Sequence, residues 1–246
     1  GNRILIDPNN PNVLIVATSN GIYRSVDGGN TFVNTFSISI TSMEFHTANS
    51  NVIYGGSKGS TSVYKSSDNG ITWAQAGTGL PSQSDVVRAC VGVTADNPSV
   101  VYALFGGNNN GFYGIYKSND EGQTWTQQAN SPNLLGWSTT GSDSDGQAWY
   151  DLAFEVSPQD ENTLFVGGVN CWKSTNGGQS WNINTHWYGG GGANYMHADE
   201  HMLKYNPLNN YVYSGNDGGL YYSSDNGNIW TDISDGLQIT QFYSLG

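Results

Sequence analysis

One ten-residue motif recurs five times along the 246 residues: YRSVDGGNTF, YKSSDNGITW, YKSNDEGQTW, WKSTNGGQSW and YYSSDNGNIW. The closing aromatics are Phe32, Trp73, Trp125, Trp181 and Trp230, at intervals of 41, 52, 56 and 49 residues. Self-similarity at such a period is the signature of a repeat architecture. Each repeat shares an internal grammar. An apolar run ends in a turn such as IDPNNPN, VSPQDEN or YNPLNN. A second run follows (VLIVAT, VIYGGS, VVYALFGG, TLFVGG, YVYSGN), and then the motif, whose two arms flank a Gly-containing turn. That pattern reads as four short strands, the last pair a hairpin. Four strands in about 40–50 residues make a propeller blade, and helical periodicity is absent.

The expected fold is therefore all-β: a β-propeller of four-stranded antiparallel blades at about 1–37, 38–78, 85–130, 147–186 and 196–234. The remaining stretch, 238–246, reads as the first strand of a further blade, so the chain is expected to be part of something longer. No signal peptide is visible, and no apolar run reaches the length of a transmembrane helix.

The motif has a structural task. Short Ser and Asp side chains bond turn N–H groups, Gly allows positive φ, and the closing aromatic buries against the neighbouring sheet. The residues are Ser25, Asp27, Gly29 and Phe32; Ser66, Asp68, Gly70 and Trp73; Ser118, Asp120, Gly122 and Trp125; Ser174, Asn176, Gly178 and Trp181; Ser223, Asp225, Gly227 and Trp230. Asn176 removes a charge that a cation would want, which favours a fold staple over five metal sites.

Twenty acids against eight bases give a net charge of −12. That argues against nucleic acid, whose phosphates need a basic surface, and against anionic lipid. Two cysteines, Cys90 and Cys171, lie in apolar runs and are expected as buried free thiols.

The motif S-x-D-x-G-x-T-W resembles the Asp-box, or BNR repeat, of sialidases, the sortilin family and xyloglucan-degrading glycoside hydrolases. The opening GNRILIDPNNPNVLIVATSNGIYRSVDGGNTF is similar to the first blade of the last group and of large secreted bacterial Asp-box proteins. The resemblance covers nearly the whole chain. It implies a propeller fold and a secreted or cell-surface protein, and leaves open whether the chain catalyses or only binds. It also implies that ligands meet the face away from the boxes.

Two loops expected on that face are unusually long, 129–147 and 184–196. They carry Trp137, His186, Trp187, Tyr188 and Tyr195, and Trp149 and Tyr150 follow the first at once. Exposed rings of this kind stack on sugar faces. Alternatively, they pack the loops down. Glycines 189–192 lack a phosphate-loop frame and read as a flexible lid or a close backbone approach. Asp143 and Asp145, in SDSDG, are weak calcium candidates without the remaining ligand spacing, and no other cofactor is expected.

The stretch GNDGGLYYS is similar to the D-x-G-G-L-Y-R segment that carries a catalytic aspartate in the xyloglucan-degrading hydrolases. This implies a catalytic role for Asp217, with Tyr222 in place of the Arg. Glycoside hydrolysis needs a second carboxyl, for which Asp151 or Asp199 could serve. Sialidase chemistry would want an arginine cluster, and only Arg3, Arg24 and Arg88 exist.

The segment NYMHADEHML, 194–203, holds two of the four histidines. Aligning the first strands on Pro8, Pro158 and Pro207 places Ile4, Phe154 and Leu203 on one face. Strand alternation then puts His201, Asp199 and His197 there too, with Glu200 opposite and aligned with Asp151. The row reads as a polar cluster anchoring the loop, or as a ligand or metal site completed by Asp217 or His186. His46 is expected at the surface. The leading function is a glycan- or protein-binding module for a polysaccharide or surface protein. The alternatives are a glycoside hydrolase acting on a β-glucan such as xyloglucan, and a structural or adhesive spacer.

Overall fold

The computed structural model describes residues 2–59 and 62–238. They form five antiparallel sheets in chain order. Sheet one is β1 (Arg3–Ile6), β2 (Leu14–Thr18), β3 (Gly21–Ser25) and β4 (Val33–Phe36). Sheet two is β5 (Ile40–His46), β6 (Asn49–Ser57), β7 (Val63–Ser66) and β8 (Ala74–Gln75). Sheet three is β9 (Val86–Val93), β10 (Val101–Gly107), β11 (Phe112–Ser118) and β12 (Thr126–Ala129). Sheet four is β13 (Ala153–Val156), β14 (Leu164–Gly167), β15 (Cys171–Ser174) and β16 (Asn182–His186), with β17 (Asn194–Tyr195) added parallel to β16. Sheet five is β18 (Glu200–Tyr205), β19 (Val212–Asn216), β20 (Gly219–Ser223) and β21 (Thr231–Asp232). The further strand expected at 238–246 falls, from 239 on, outside the described residues. Among the described residues no helix is long and apolar enough to cross a membrane.

The first strands stand side by side, β1 on β5, β5 on β9, β9 on β13 and β13 on β18. They surround a cavity of about 560 Å³, to which Arg3, Glu44, Arg88, Cys90, Phe154 and His201 contribute from the five sheets. Sheets placed radially around a channel are the propeller arrangement. The core lies between the sheets. Sheet three gives Leu104 and Ile115 and sheet four gives Phe154, Val156 and Trp172 to one cluster; Phe165 of sheet four packs with Leu203 and Tyr205 of sheet five in another. Ile4 and Ile6 hold the same register as Phe154 and Val156, yet are exposed.

In every copy of the repeated turn the Ser hydroxyl donates to the residue at the acidic position and accepts from the Gly N–H. In the third copy the Ser118 hydroxyl donates to Asp120 (2.7 Å) and accepts from Gly122 N–H (2.8 Å), while Asp120 accepts from Thr124 N–H and its hydroxyl (2.8 and 2.6 Å). These donors hold the Asp120 carboxyl down to about 2. In the fourth copy Asn176 keeps the acceptor, taking Ser180 N–H at 3.0 Å, and reverses the other bond by donating Nδ2 to Ser180 (2.8 Å). The base before the motif Ser reaches the next sheet: Arg24 donates to Asn69 O (2.9 Å), Lys65 to Glu121 O (2.7 Å) and Lys173 to Asn226 O (2.5 Å). The closing aromatics Trp125 and Trp181 are buried, whereas Phe32 of sheet one is exposed.

Three expectations change. His46 is buried, its Nδ1 accepting from Ala48 N–H at 3.1 Å, because it folds back into its own turn. Strand pairing in sheet four begins at Ala153, so Asp151 lies in the preceding turn, its N–H on Gln147 O at 3.2 Å. In β18 the alternation breaks. The register shifts between Glu200 and Met202, which leaves His201 as the extra residue of a bulge. Glu200 and Leu203 are both buried, and His201 and Met202 both face out. Asp199, at φ 66°, turns the chain just before. The row His197–Asp199–His201 on the Leu203 face therefore does not form.

Candidate functional site

The bulge turns the His201 ring out of the strand and onto the turn between β19 and β20. Its Nε2 lies 2.8 Å from Asp217 Oδ1, and the Tyr150 hydroxyl donates to Asp217 Oδ2 at 3.0 Å. The Tyr150 and His201 rings meet edge to face at 5.0 Å, and Trp149 lies 5.4 Å from Tyr150. The Asp217 bond pushes the Tyr150 hydroxyl up from its ordinary value, since ionisation would remove the donated proton. Trp149 remains 56 % exposed and Tyr150 40 %. Asp217 thus pairs with His201 from HADEH and not with His186. Gly218 also has a reason: a Cβ there would fall 2.3 Å from the His197 side chain. The His197 Nδ1 itself lies 3.2 Å from Ala198 O.

Beneath this surface lies a layer of acids. Asp151 is fully buried, and neither of its oxygens meets a donor among the described residues. Burial, then the adjoining Asp199 carboxyl, raises Asp151 far above the carboxylate range, to about 8. Asp199 accepts from Gln147 Nε2 at 3.2 Å. Glu200, opposite Ser214 and Asn216, is pushed up to about 8 by burial. Asp151 and Asp199 therefore do come together, with Asp151 fully buried and Asp199 half-buried beside it.

Cations not singled out by sequence reasoning support the same surface from its backbone. Arg88 donates to Ala148 O (3.1 Å) and Tyr150 O (3.3 Å), and Lys58 to Trp149 O (3.3 Å). A signal was present in the composition. Of eight bases, the four outside the motif, Arg3, Lys58, Arg88 and Lys204, all line the cavities along the first strands.

The other aromatics gather over the outer part of sheet four. His186 is buried; its Nδ1 accepts from Tyr188 N–H (3.3 Å) and Gly190 N–H (3.4 Å), and its Nε2 lies 3.2 Å from Trp137 O. Asn170 Nδ2 reaches the same carbonyl at 3.0 Å. Trp187 stacks on His186 at 5.9 Å and meets Tyr188 at 4.7 Å. Trp137, Trp187, Tyr188 and Tyr195 are exposed. Glycines 190–192 form a short 3-10 turn, and a Cβ on Gly191 would sit 2.8 Å from Thr139, so the run marks a close approach of the two long loops.

Asp143 accepts from Ser138 N–H at 2.7 Å and braces its own loop, while Asp145 is exposed and its carbonyl accepts from Asn133 at 2.9 Å. Among the described residues no three His, Cys, Asp or Glu side chains converge on a metal position. Cys90 and Cys171 are buried and free.

No family model matches the chain. Among curated proteins it is similar to the xyloglucanase Xgh74A of Acetivibrio thermocellus, 24 % identical over 216 residues, which is 74 % of this chain and 25 % of that protein. The chain thus spans about a quarter of the length of the curated relatives it matches. In solved structures it resembles the GH74 xyloglucanase of Xanthomonas campestris, with a TM-score of 0.64 at 17 % identity over 95 % of this chain and 38 % of that one. An ancestral GH74 enzyme gives 0.63 at 16 % over 96 % and 31 %. A chain of a nidogen/laminin complex gives 0.57 at 11 % over 86 % and 73 %. At these identities the shared property is the fold, a β-propeller found in the xyloglucanases and in the chain of the nidogen/laminin complex alike.

Proposed function

We propose that the chain is a glycan-binding propeller unit of a secreted or cell-surface protein, whose ligand lies across the channel mouth at Trp149, Tyr150, His201 and Asp217. The observation that carries this reading is the Asp217 carboxylate, held by the Tyr150 hydroxyl and the His201 imidazole beside two exposed rings. Rings supply flat apolar area for sugar CH faces, and a fixed carboxylate accepts sugar hydroxyls. The similarity to xyloglucanases supports a β-glucan such as xyloglucan as the ligand class. Five sheets with outward apolar residues at Ile4 and Ile6 fit a propeller with further blades.

A second reading, hydrolysis, is favoured by one feature: Tyr150 stands between a half-exposed Asp217 and the buried Asp151, whose carboxyl is raised. It requires two carboxyls flanking one bond, and Asp151 here is fully buried. Calorimetry with xyloglucan oligosaccharides, together with a reducing-end assay, separates the readings. Binding is expected to weaken by about tenfold in Asp217→Ala and in Trp149→Ala, in line with loss of one charge-assisted bond or one stacking contact. Binding with no reducing ends released supports the module. Reducing ends that vanish in Asp217→Asn support the hydrolase. Neither binding nor cleavage returns the chain to the spacer reading.

A further inference from the structure

We propose that the top of sheet four carries a second ring-stacking platform, Trp137, Trp187 and Tyr188, and that it and the Trp149–Tyr150 platform take one extended, uncharged, flat-ringed glycan chain lying radially outward from the channel mouth. This rests on the glycan-binding reading and specifies the ligand's length, direction and charge.

The first observation is that the second group of rings is built rather than collapsed. Loop packing would bury the rings, yet Trp137 is 39 %, Trp187 45 % and Tyr188 64 % exposed. The group that is buried is His186 beneath them. It fixes both loops at once, through Tyr188 N–H and Gly190 N–H on Nδ1 and Trp137 O at Nε2. Asn170 adds a second bond to Trp137 O from the β14–β15 turn. Exposed rings on a locked backbone lose little freedom when a ligand stacks on them.

The second observation is placement. Trp149 and Tyr150 lead into the innermost strand, β13, whereas Trp187 and Tyr188 follow the outer strand, β16. Three strand spacings separate β13 from β16, about 14 Å. A single sugar cannot span that distance, but an oligosaccharide can. The path runs over the ends of one sheet, so both platforms belong to one rigid element.

The third observation is charge. Asp217 lies on this face and Asp145 in the loop that carries Trp137, and Lys58 and Arg88 are tied to backbone carbonyls. With a net charge of −12, a polymer of uronates or sialates would be repelled.

The test is calorimetry with neutral β-glucan oligosaccharides, from disaccharide to octasaccharide, on the wild type, Trp187→Ala and Trp149→Ala. Trp187 lies outside the strands and is 45 % exposed, so its removal is expected to leave the sheets intact. The wild-type affinity is expected to step up once the chain reaches both platforms, because the second contact is then intramolecular. Trp187→Ala is expected to leave the disaccharide unchanged and to lower octasaccharide affinity about tenfold, the size of one lost stacking contact. A uronate oligomer of equal length is expected to bind more weakly than the neutral one. Equal loss at all lengths, or none at any length, overturns the second platform while leaving the Trp149 site standing if Trp149→Ala still weakens binding. A wild type that binds no glycan at any length overturns both readings.

Discussion

At the scale of single residues, the repeated turn shows how little chemistry its acid needs. Asn176 does the work of the aspartates because the turn asks for one fixed acceptor on a backbone N–H and tolerates either direction at the second bond. The serine is less replaceable. Ser118 is fully buried and is the acceptor for Gly122 N–H, so Ser118→Ala leaves a buried donor unmet. A loss of about 1–3 kcal/mol is expected in denaturant unfolding, with no change in the slope against denaturant. This role was legible in the sequence, because the Ser is kept in all five copies while the acidic position is replaced once, by Asn176. Glu200 was not legible in that way. Its folded pKa stands at about 8 against an ordinary 4.5, raised by burial. A raised acid favours the fold fully below the unfolded value and loses that contribution as pH rises through the folded one. Melting temperature is therefore expected to fall between pH 5 and 9, and Glu200→Gln to flatten that slope. Asp151 acts in the same direction, so the slope should shrink in the variant rather than vanish. A variant with the wild-type slope would show that Glu200 does not hold its proton in the fold.

At the scale of elements, the four-strand unit and its hairpin were readable because apolar runs, turns and the motif recur in one order. The register of β1, β13 and the second half of β18 was also readable from the aligned prolines. The site was not, because one extra residue in β18 inverts every position before it. Strict alternation put His201 inward with Leu203; the bulge turns it outward to Asp217. Nothing in HADEH marks the bulge, and no glycine announces the positive φ of Asp199 just before it. The loops behave differently, for their geometry depends on a single buried ring. His186→Phe keeps the ring's volume and removes both nitrogens. Hydrogen exchange at the Tyr188 and Gly190 amides is expected to speed up in this variant, while the amides of β18 and β19 keep wild-type protection. His186→Asn, which restores an acceptor, is expected to recover part of the slow exchange. Unchanged exchange at 188 and 190 in the Phe variant would mean that ring packing alone holds the loop.

At the scale of the whole molecule, the sheets are joined by three kinds of contact. Apolar faces join neighbours. The base before the motif Ser in sheets one, two and four binds the next turn, and in sheet three Lys117 pairs with Glu161 of sheet four at 3.0 Å. The third kind crosses the channel. Glu44 of sheet two accepts from Arg3 of sheet one, at 2.5 Å, and from Lys204 of sheet five, at 3.0 Å; Lys204 also reaches Glu155 of sheet four at 3.2 Å. Four sheets thus meet in one ionic group. Glu155 is buried, accepts from Tyr205 N–H at 3.0 Å, and is pushed up by that burial, with Lys204 pulling the other way. Lys204→Met keeps the stem's bulk and leaves Glu155 without a counter-charge. Breaking a buried pair by removing one partner is strongly destabilising, but the Lys204 ammonium is partly wet, so a loss of about 2 kcal/mol at pH 8 is expected. The loss should shrink at pH 5, where Glu155 takes up a proton and no longer needs the ammonium. Adding Glu155→Gln to Lys204→Met should restore most of the stability at pH 8, since a neutral amide in the same place still accepts from Tyr205. Unfolding of the two single variants and the double variant at both pH values measures the coupling directly. If the double variant is no more stable than Lys204→Met at pH 8, the group is held by packing of the first strands and not by charge across the channel.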